Sequence, residues 1–353
     1  MQKVIVGLSG GVDSAVTAYL LKLAGYEVIG MTLRTYVASD GTESRCCEID
    51  DARQTAAALG IPYYVQNVQT EFAKYITGPF VEEYLSGRTP SPCIVCNRYV
   101  KWAKMLEAAD NMNADHIATG HYATVVQLPN GRYSVRQAEH IAKDQTYMLC
   151  RLSQEQLSRT LMPLGKLTKA EVREIARKAG LPVAEKPDSQ ELCFVPDDDY
   201  IGYIEEHAER ELPPEGDFVD EAGNILGRHK GIYRCTVGQR KGLGLSLGYP
   251  AYVKSLDAAN DRVIIGTEQS LYSDTVICGD VNFMGISEPS PGECIRGFAK
   301  IRYAHRPQPC EAGLLPDGRL KLLFDEPVRA AAPGQAAVLY DSEGCILCGA
   351  TIE

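Results

Sequence analysis

No run of about 18 uninterrupted apolar residues occurs in the chain, so the sequence predicts no membrane-spanning helix. The N-terminal stretch MQKVIVGLSGGVDSAV is broken by Asp13 and its glycines, and no small-residue cleavage site follows it. No signal peptide is expected, and a cytoplasmic protein is. Positive charge is in deficit: 36 Lys and Arg against 46 Asp and Glu leave a net charge of −10. That argues against a protein that coats nucleic acid nonspecifically, while leaving room for a local basic patch. Internal repeats and low-complexity segments are absent as well. Cysteine is abundant, with 12 residues. In a reducing compartment these are expected to be thiols, metal ligands or catalytic groups, so their positions matter more than their number. The 353 residues, 45% hydrophobic and 23% charged, have ordinary globular composition. They suffice for two or three domains whose cores need no staples.

Residues 3–8 read as a buried strand, 12–24 as a helix closed by Gly25, and 26–33 as the next strand. A helix over 50–59, a strand over 62–68, helices over 70–86 and 98–111 and a short strand over 115–119 continue the pattern. Thr168 opens a helix to Ala179, and 197–210 forms another. This alternation predicts an α/β fold with a doubly wound parallel sheet. Pro213 to Asp217 reads as a linker. Beyond it short strands replace helical periodicity, at 250–256, 262–266, 293–303, 319–324 and 335–340, as in a small barrel or sandwich. The expected units are 1–209, a connecting module over 210–274, and a C-terminal β-barrel over 275–353.

The loop Ser9-Gly10-Gly11-Val12-Asp13-Ser14 stands between the first strand and the first helix. Adjacent glycines let backbone N–H groups and a helix N-terminus approach an anion, and Ser9 and Ser14 add hydroxyls. A Walker loop is excluded, because no Lys-Ser/Thr pair follows, and the adjacent glycines do not match the dinucleotide spacing. A lone glycine pair would equally suit a tight turn without a ligand. The full string resembles the pyrophosphate-binding loop of the adenylating ATP pyrophosphatases, which implies cleavage of ATP to AMP and pyrophosphate, with Asp13 supporting the loop and the Mg²⁺-bound phosphates.

Cys93 and Cys96 lie in TPSPCIVCNRYVKW, where Pro90 and Pro92 predict a stiff, non-helical entry, with Asn97 beginning the helix; Cys193 lies in PDSQELCF. The CxxC spacing alone admits metal binding, redox chemistry or neither. Cys345 and Cys348 could complete a zinc site, but they sit in an alternating apolar segment that suits small core residues better. The adjacent Cys46 and Cys47 read as local packing. Two segments are basic and free of acids: 227–241, with Arg228, Lys230, Arg234, Arg240 and Lys241, and 295–306, with Arg296, Lys300, Arg302 and Arg306. Tyr233, Phe298 and Tyr303 interleave with them, as in phosphate contacts with stacking, although a solvated charged face has the same composition. The stretch from Gly238 to Gly244 could hinge.

In order along the chain, SGGVDS, PCIVCNRYVKW, ATGHYA, KDQTYML, SQELCF, TVGQRKGLG and IRYAHRP resemble the bacterial tRNA-specific 2-thiouridylases over nearly all 353 residues. The resemblance implies an adenine nucleotide α-hydrolase-like catalytic fold. It also implies ATP- and Mg²⁺-dependent transfer of sulfur to the wobble uridine of tRNAs for Lys, Glu and Gln. Residue by residue it implies that Cys96 is the nucleophile and that Cys193 carries a persulfide from a cysteine desulfurase or sulfur-relay protein. Gly7, Leu8, Ser9, Gly10, Gly11, Val12, Asp13, Ser14, Met31 and Gly120 would meet ATP. His121, Lys143, Asp144, Gln145, Arg302, Tyr303 and Gln335 would meet tRNA. The chemistry is coherent, because adenylation turns a poor leaving oxygen into AMP and a second thiol then releases the sulfur from its carrier, leaving a disulfide. One departure stands out. Where well-known members carry Asp three residues before the nucleophile, this chain has Cys93. The set Cys93, Cys96 and Cys193 therefore also resembles the three cysteines of related thiolases that hold a [4Fe–4S] cluster. Rival readings are an adenylating synthetase acting on a small substrate, which need not carry the paired thiols, and a zinc-stabilised RNA-binding module, which leaves SGGVDS unexplained.

Overall fold

The chain begins with an apolar run, KVIVG, that forms β1 (Lys3–Gly7), followed by α1 (Val12–Leu23) and β2 (Glu27–Arg34). The structure is a computed structural model that describes residues 1–37, 44, 47–187, 192–195, 198–290 and 292–353. Next come α2 (Ile49–Leu59), closed by left-handed Gly60, and β3 (Tyr63–Asn67). The expected helix over 70–86 is divided into α3 (Gln69–Phe72), a π-helical turn (Ala73–Thr77) and α4 (Gly78–Leu85). Pro79 has no N–H to bond the carbonyl four residues back, and the ladder widens just before it.

The non-helical entry expected at 90–96 is corrected. Pro92 opens α5 (Pro92–Cys96), which runs through a π-helical turn (Asn97–Trp102) into α6 (Ala103–Asn111). Proline suits the first helical position, where its missing N–H would have had no partner. β4 (His116–Ala118) follows, then a hairpin that the sequence reading missed, β5 (Ala123–Gln127) and β6 (Tyr133–Gln137). Its signal was Pro-Asn-Gly at 129–131 between β-branched residues. After α7 (Gln154–Ser158) comes β7 (Thr160–Leu161). The helix expected from Thr168 is α8 (Lys169–Lys178), and the last helix is α9 (Tyr200–His207). The expected start of that last helix, at 197, lies outside the described residues.

Five strands form a parallel sheet in the order β3-β2-β1-β4-β7. Alternate residues of β1 enter two different cores. Ile5 joins Ile29, Met31, Trp102 and Ile117, while Val4 and Val6 join Val16, Ala18 and Val28. A sheet buried on both faces is the doubly wound arrangement that the alternation predicted. The strand order reverses between β1 and β4, so the loops after these two strands meet at the sheet's carboxyl edge. That is where open α/β sheets bind ligands.

Gly216 and Asp217, expected in a linker, begin β8 (Gly216–Val219). With β9 (Ile225–His229), β10 (Tyr252–Asp257) and β11 (Arg262–Gly266) it makes a sheet in the order β10-β11-β8-β9. The rest closes into a barrel from β12 (Tyr272–Phe283), β13 (Cys294–Lys300), β14 (Gln308–Leu314), β15 (Leu320–Arg329), β16 (Ala336–Tyr340) and β17 (Ile346–Ile352), in the order β12-β15-β14-β13-β16-β17. Cys278, Cys310 and Cys348 are buried in it as small apolar side chains. The hairpin docks the barrel: Arg132 donates to the Phe283 and Met284 carbonyls, and Ser134 to that of Ile346. Among the described residues, no helix is long and apolar enough to cross a membrane.

Candidate active site

The glycine loop is seated on its neighbour strand. Leu8 N donates to Met31 O at 2.8 Å, and the Thr32 hydroxyl donates to Leu8 O at 2.6 Å. Gly10 has φ +81°, and a Cβ there would lie 2.7 Å from both Glu48 Cβ and Glu48 O, so the position excludes other residues. Ser14 Oγ donates to Gly11 O at 2.9 Å and accepts from Ser9 N at 3.2 Å. Gly11 caps α1 and brings no side chain to bond the first turn. The opening N–H groups of this helix, with the positive end of its dipole, form a site suited to phosphate.

Asp13 is gripped from two distant segments. Its Oδ1 accepts from Tyr122 Oη at 2.7 Å, and Lys169 Nζ donates to both carboxylate oxygens at 2.8 Å. Lys169 begins α8, whose start is fixed by a capping box between Thr168 and Glu171. Tyr122 is held in turn by Gln145, whose Oε1 accepts from Tyr122 N at 2.9 Å. Gly120 lies under the loop: a Cβ there would stand 2.7 Å from Asp13 C and 2.8 Å from Ser14 N. A second lysine, Lys186, reaches Glu48 at 2.6 Å and also pairs with Asp51, beside Gly10. Sequence reasoning missed Lys169, Lys186 and Tyr122. The helix start at Thr168 was legible, but not the loop it faces.

Cys93 and Cys96 lie one helical turn apart on α5, Cys93 exposed and Cys96 buried at 6%. Cys193 is half-buried and packs against the core that contains Cys96; Ser189 to Glu191 of its motif lie outside the described residues. Among the described residues, no three His, Cys, Asp or Glu side chains are placed to share a metal ion. The set Cys93, Cys96 and Cys193 therefore does not fit a cluster as arranged. Cys345 and Cys348 are buried at and in β17. Burial pushes the Cys345 thiol up to about 11 and that of Cys348 higher, so neither resembles a waiting zinc ligand. Cys47 is wholly buried, with its Sγ donating to Leu33 O at 2.9 Å, whereas Cys46 lies outside the described residues.

The residues matched to tRNA contacts divide by how they face. Tyr303 is exposed, and its hydroxyl donates to Asp144 O at 3.4 Å. Lys143, Gln145 and Arg302 are half-buried. Arg302 donates to Val237 O and Ala330 O, at 2.9 and 2.6 Å. Asp144 is 5% exposed, and its carboxylate accepts from Ala138 N and the Thr146 hydroxyl; burial raises its pKa. His121 is half-buried beside Trp102 and hydrogen-bonded to Thr119 Oγ1 at 2.9 Å. Desolvation first, and Lys101 second, lower its pKa to about 3, so the imidazole is neutral. Gln335 donates to Thr89 O and Pro90 O, at 2.9 and 3.2 Å.

The two basic segments are less open than their composition implied. Arg296 makes two hydrogen bonds to Asp325, at 2.8 and 2.7 Å, and Arg228 and Arg234 pair with Asp217 and Glu205. Lys300 is buried over the Tyr147 and Tyr303 rings, and desolvation lowers its pKa. Lys230, Arg240, Lys241 and Arg306 remain exposed.

Comparison with known proteins agrees with this architecture. Residues 2–197 match the family described as tRNA methyl transferase HUP domain, 202–267 its PRC-barrel domain, and 273–352 the aminomethyltransferase beta-barrel domain. The tRNA-specific 2-thiouridylase MnmA of Lachnoclostridium phytofermentans is 50% identical, covering 100% of this chain and 99% of that protein. The protein of the same name from Acetivibrio thermocellus is 48% identical, covering 97% of each. Among solved structures, the U34-tRNA thiolase NcsA from Methanococcus maripaludis with its [4Fe-4S] cluster aligns at 19% identity and TM-score 0.37, over 58% of this chain and 62% of that one, a likeness too slight to carry an argument. The domain descriptions speak of methyl transfer and the full-length relatives of thiolation; identity near one half over entire chains is the more specific finding. A chain that matches these proteins from end to end, with a glycine loop opening its first helix and cysteines on a separate short helix, belongs to the tRNA-specific 2-thiouridylase family.

Proposed function

We propose that this chain is an ATP-dependent tRNA-uridine 2-sulfurtransferase that replaces the 2-oxygen of the wobble uridine with sulfur, releasing AMP and pyrophosphate. One observation carries the reading: the uncapped start of α1, with Asp13 held by Lys169 and Tyr122, in a chain alike to thiouridylases over its whole length. Residues Gly7 to Ser14 would cradle the triphosphate, with Met31 and Gly120 as further nucleotide contacts. Lys169 supplies the cation that a Walker loop carries within its own motif. Mg²⁺ arriving with ATP would offset the remaining pyrophosphate charge.

The uridine 2-oxygen attacks the α-phosphorus, and the bond to pyrophosphate breaks. The terminal sulfur of a Cys193 persulfide then attacks C2, and the C2–oxygen bond breaks with AMP as leaving group. Cys96 thiolate attacks Cys193 Sγ. The bond to the transferred sulfur breaks, leaving 2-thiouridine and a Cys96–Cys193 disulfide, which an external dithiol reduces. A cysteine desulfurase or sulfur-relay protein reloads Cys193. The substrates would be the tRNAs for Lys, Glu and Gln, met in the cytoplasm by His121, Lys143, Gln145, Arg302, Tyr303 and Gln335. Asp144, with its carboxylate turned inward, would meet RNA through its backbone. The division into a catalytic unit to 209, a connecting module over 210–274 and a barrel beyond suits this division of labour.

Unmodified tRNA incubated with ATP and a persulfide donor should yield 2-thiouridine by mass spectrometry, and an iron-free preparation should be fully active. Cys96→Ser and Cys193→Ser should each abolish thiolation. Survival of thiolation in the double variant would sink the assignment.

A further inference from the structure

The turn before β16 grips the chain just ahead of the cysteine helix. Thr89 N donates to Pro333 O at 2.8 Å, and Gln335 Nε2 donates to Thr89 O and Pro90 O, at 2.9 and 3.2 Å. Between them Gly334 has φ +90°, and a Cβ there would stand 2.9–3.0 Å from Thr89 backbone atoms. Contact this close requires glycine. The turn is itself fixed to the barrel, since Gly334 N donates to Ile352 O at 2.9 Å and Ile352 N to Gln335 O at 2.8 Å. On the far side of the grip, Pro90 and Pro92 lock their own φ angles, and Pro92 is the first residue of the helix bearing Cys93 and Cys96. A displacement of the turn is therefore passed on through a stiff segment of a few residues to the cysteines.

We infer that the turn 333–335 is a positioning device by which the barrel sets Cys96 for sulfur transfer. The inference rests on the thiolation reading above. Adenylation would be built on β1, α1, β4 and the start of α8, and among the described residues the turn's hydrogen bonds go to Thr89, Pro90, Ala332 and Ile352 instead. The two half-reactions should therefore respond differently to its loss. Displacements near 1 Å can cost about a hundredfold in rate when they fall on reacting groups.

The test is Gly334→Ala, with Gly318→Ala as control. Gly318 lies in another barrel turn at φ +84° with nothing near its Cβ, so it shares the backbone strain but not the collision. Pro90→Gly loosens the stiff segment between the turn and the cysteine helix without a backbone collision, and serves even if Gly334→Ala folds poorly. The readout is the ratio of 2-thiouridine formed to AMP released in a single turnover. Gly334→Ala and Pro90→Gly are expected to lower that ratio at least tenfold, with AMP release within about threefold of wild type, while Gly318→Ala keeps the wild-type ratio. An unchanged ratio, or equal loss of both products, overturns the inference and leaves the thiolation reading standing. Wild-type enzyme that releases no AMP with tRNA overturns both.

Discussion

Replacing Lys169 with Met removes the ammonium that holds Asp13 and keeps most of the side chain's bulk. The pair is short, 2.8 Å to each oxygen, with the lysine and aspartate side chains 14% and 31% exposed. At an effective dielectric of about 20, unit charges about 4 Å apart attract by about 4 kcal/mol. In the resting enzyme Asp13 already receives that attraction, and bound ATP would compete for it. Ground-state affinity reflects the difference between two ion pairs, so the KM for ATP should rise by less than about tenfold, or about 1.4 kcal/mol. Charge that grows as pyrophosphate departs has no such competitor. Losing one preorganised donor there costs about 10²–10³ in kcat, or about 2.7–4 kcal/mol. The assay is tRNA-dependent AMP release. Tyr122→Phe is the control, because it removes the 2.7 Å hydrogen bond to the same carboxylate without removing charge, and its kcat should fall less than about tenfold. A K169M enzyme within threefold of wild type, or one matching Y122F, would refute a phosphate role and reduce Lys169 to a prop for Asp13.

Gly120→Ala should raise the KM for ATP by about fivefold to about 150-fold and leave tRNA affinity unchanged. Its Cβ would meet Asp13 and Ser14 backbone at 2.7–3.0 Å, and overpacking of this kind costs about 1–3 kcal/mol; nucleotide titrations and tRNA filter binding check the two halves. His121 makes stability sensitive to acid. Its folded pKa, lowered to about 3 by burial, lies below the ordinary value of about 6.5. The stability it contributes is complete above pH about 6.5 and is lost as pH falls toward 3. The urea midpoint should drop more between pH 7 and 4 in wild type than in His121→Asn, and parallel curves would contradict the desolvation argument.

Much of the catalytic unit was legible because its signals are local. The alternation of strand and helix, the glycine loop and the helix start at Thr168 each depend on residues a few positions apart. Errors arose where one local rule was pressed too far. Pro92 signalled a stiff coil, yet proline at a first helical position starts a helix, so Cys93 and Cys96 became helical neighbours. Acid-free basic segments signalled open positive surface. The acids came from elsewhere: Asp325 on β15 takes Arg296 of β13, and Glu205 of α9 takes Arg234.

The sequence alone determined that a glycine turn joins the first strand to the first helix, and the full SGGVDS string, rather than the glycine pair, pointed to phosphate. A Walker lysine is missing from the motif, yet a lysine does stand beside the loop. Lys169 comes from 156 residues downstream, and only the packing of α8 beside α1 brings it to Asp13. Tertiary structure likewise decided that Gln335, in the barrel, grips the carbonyls ahead of the cysteine helix. The physical reason is one of range. Backbone conformation responds to near neighbours, whereas the pairing of charges and donors across a site depends on which surfaces the whole fold presses together.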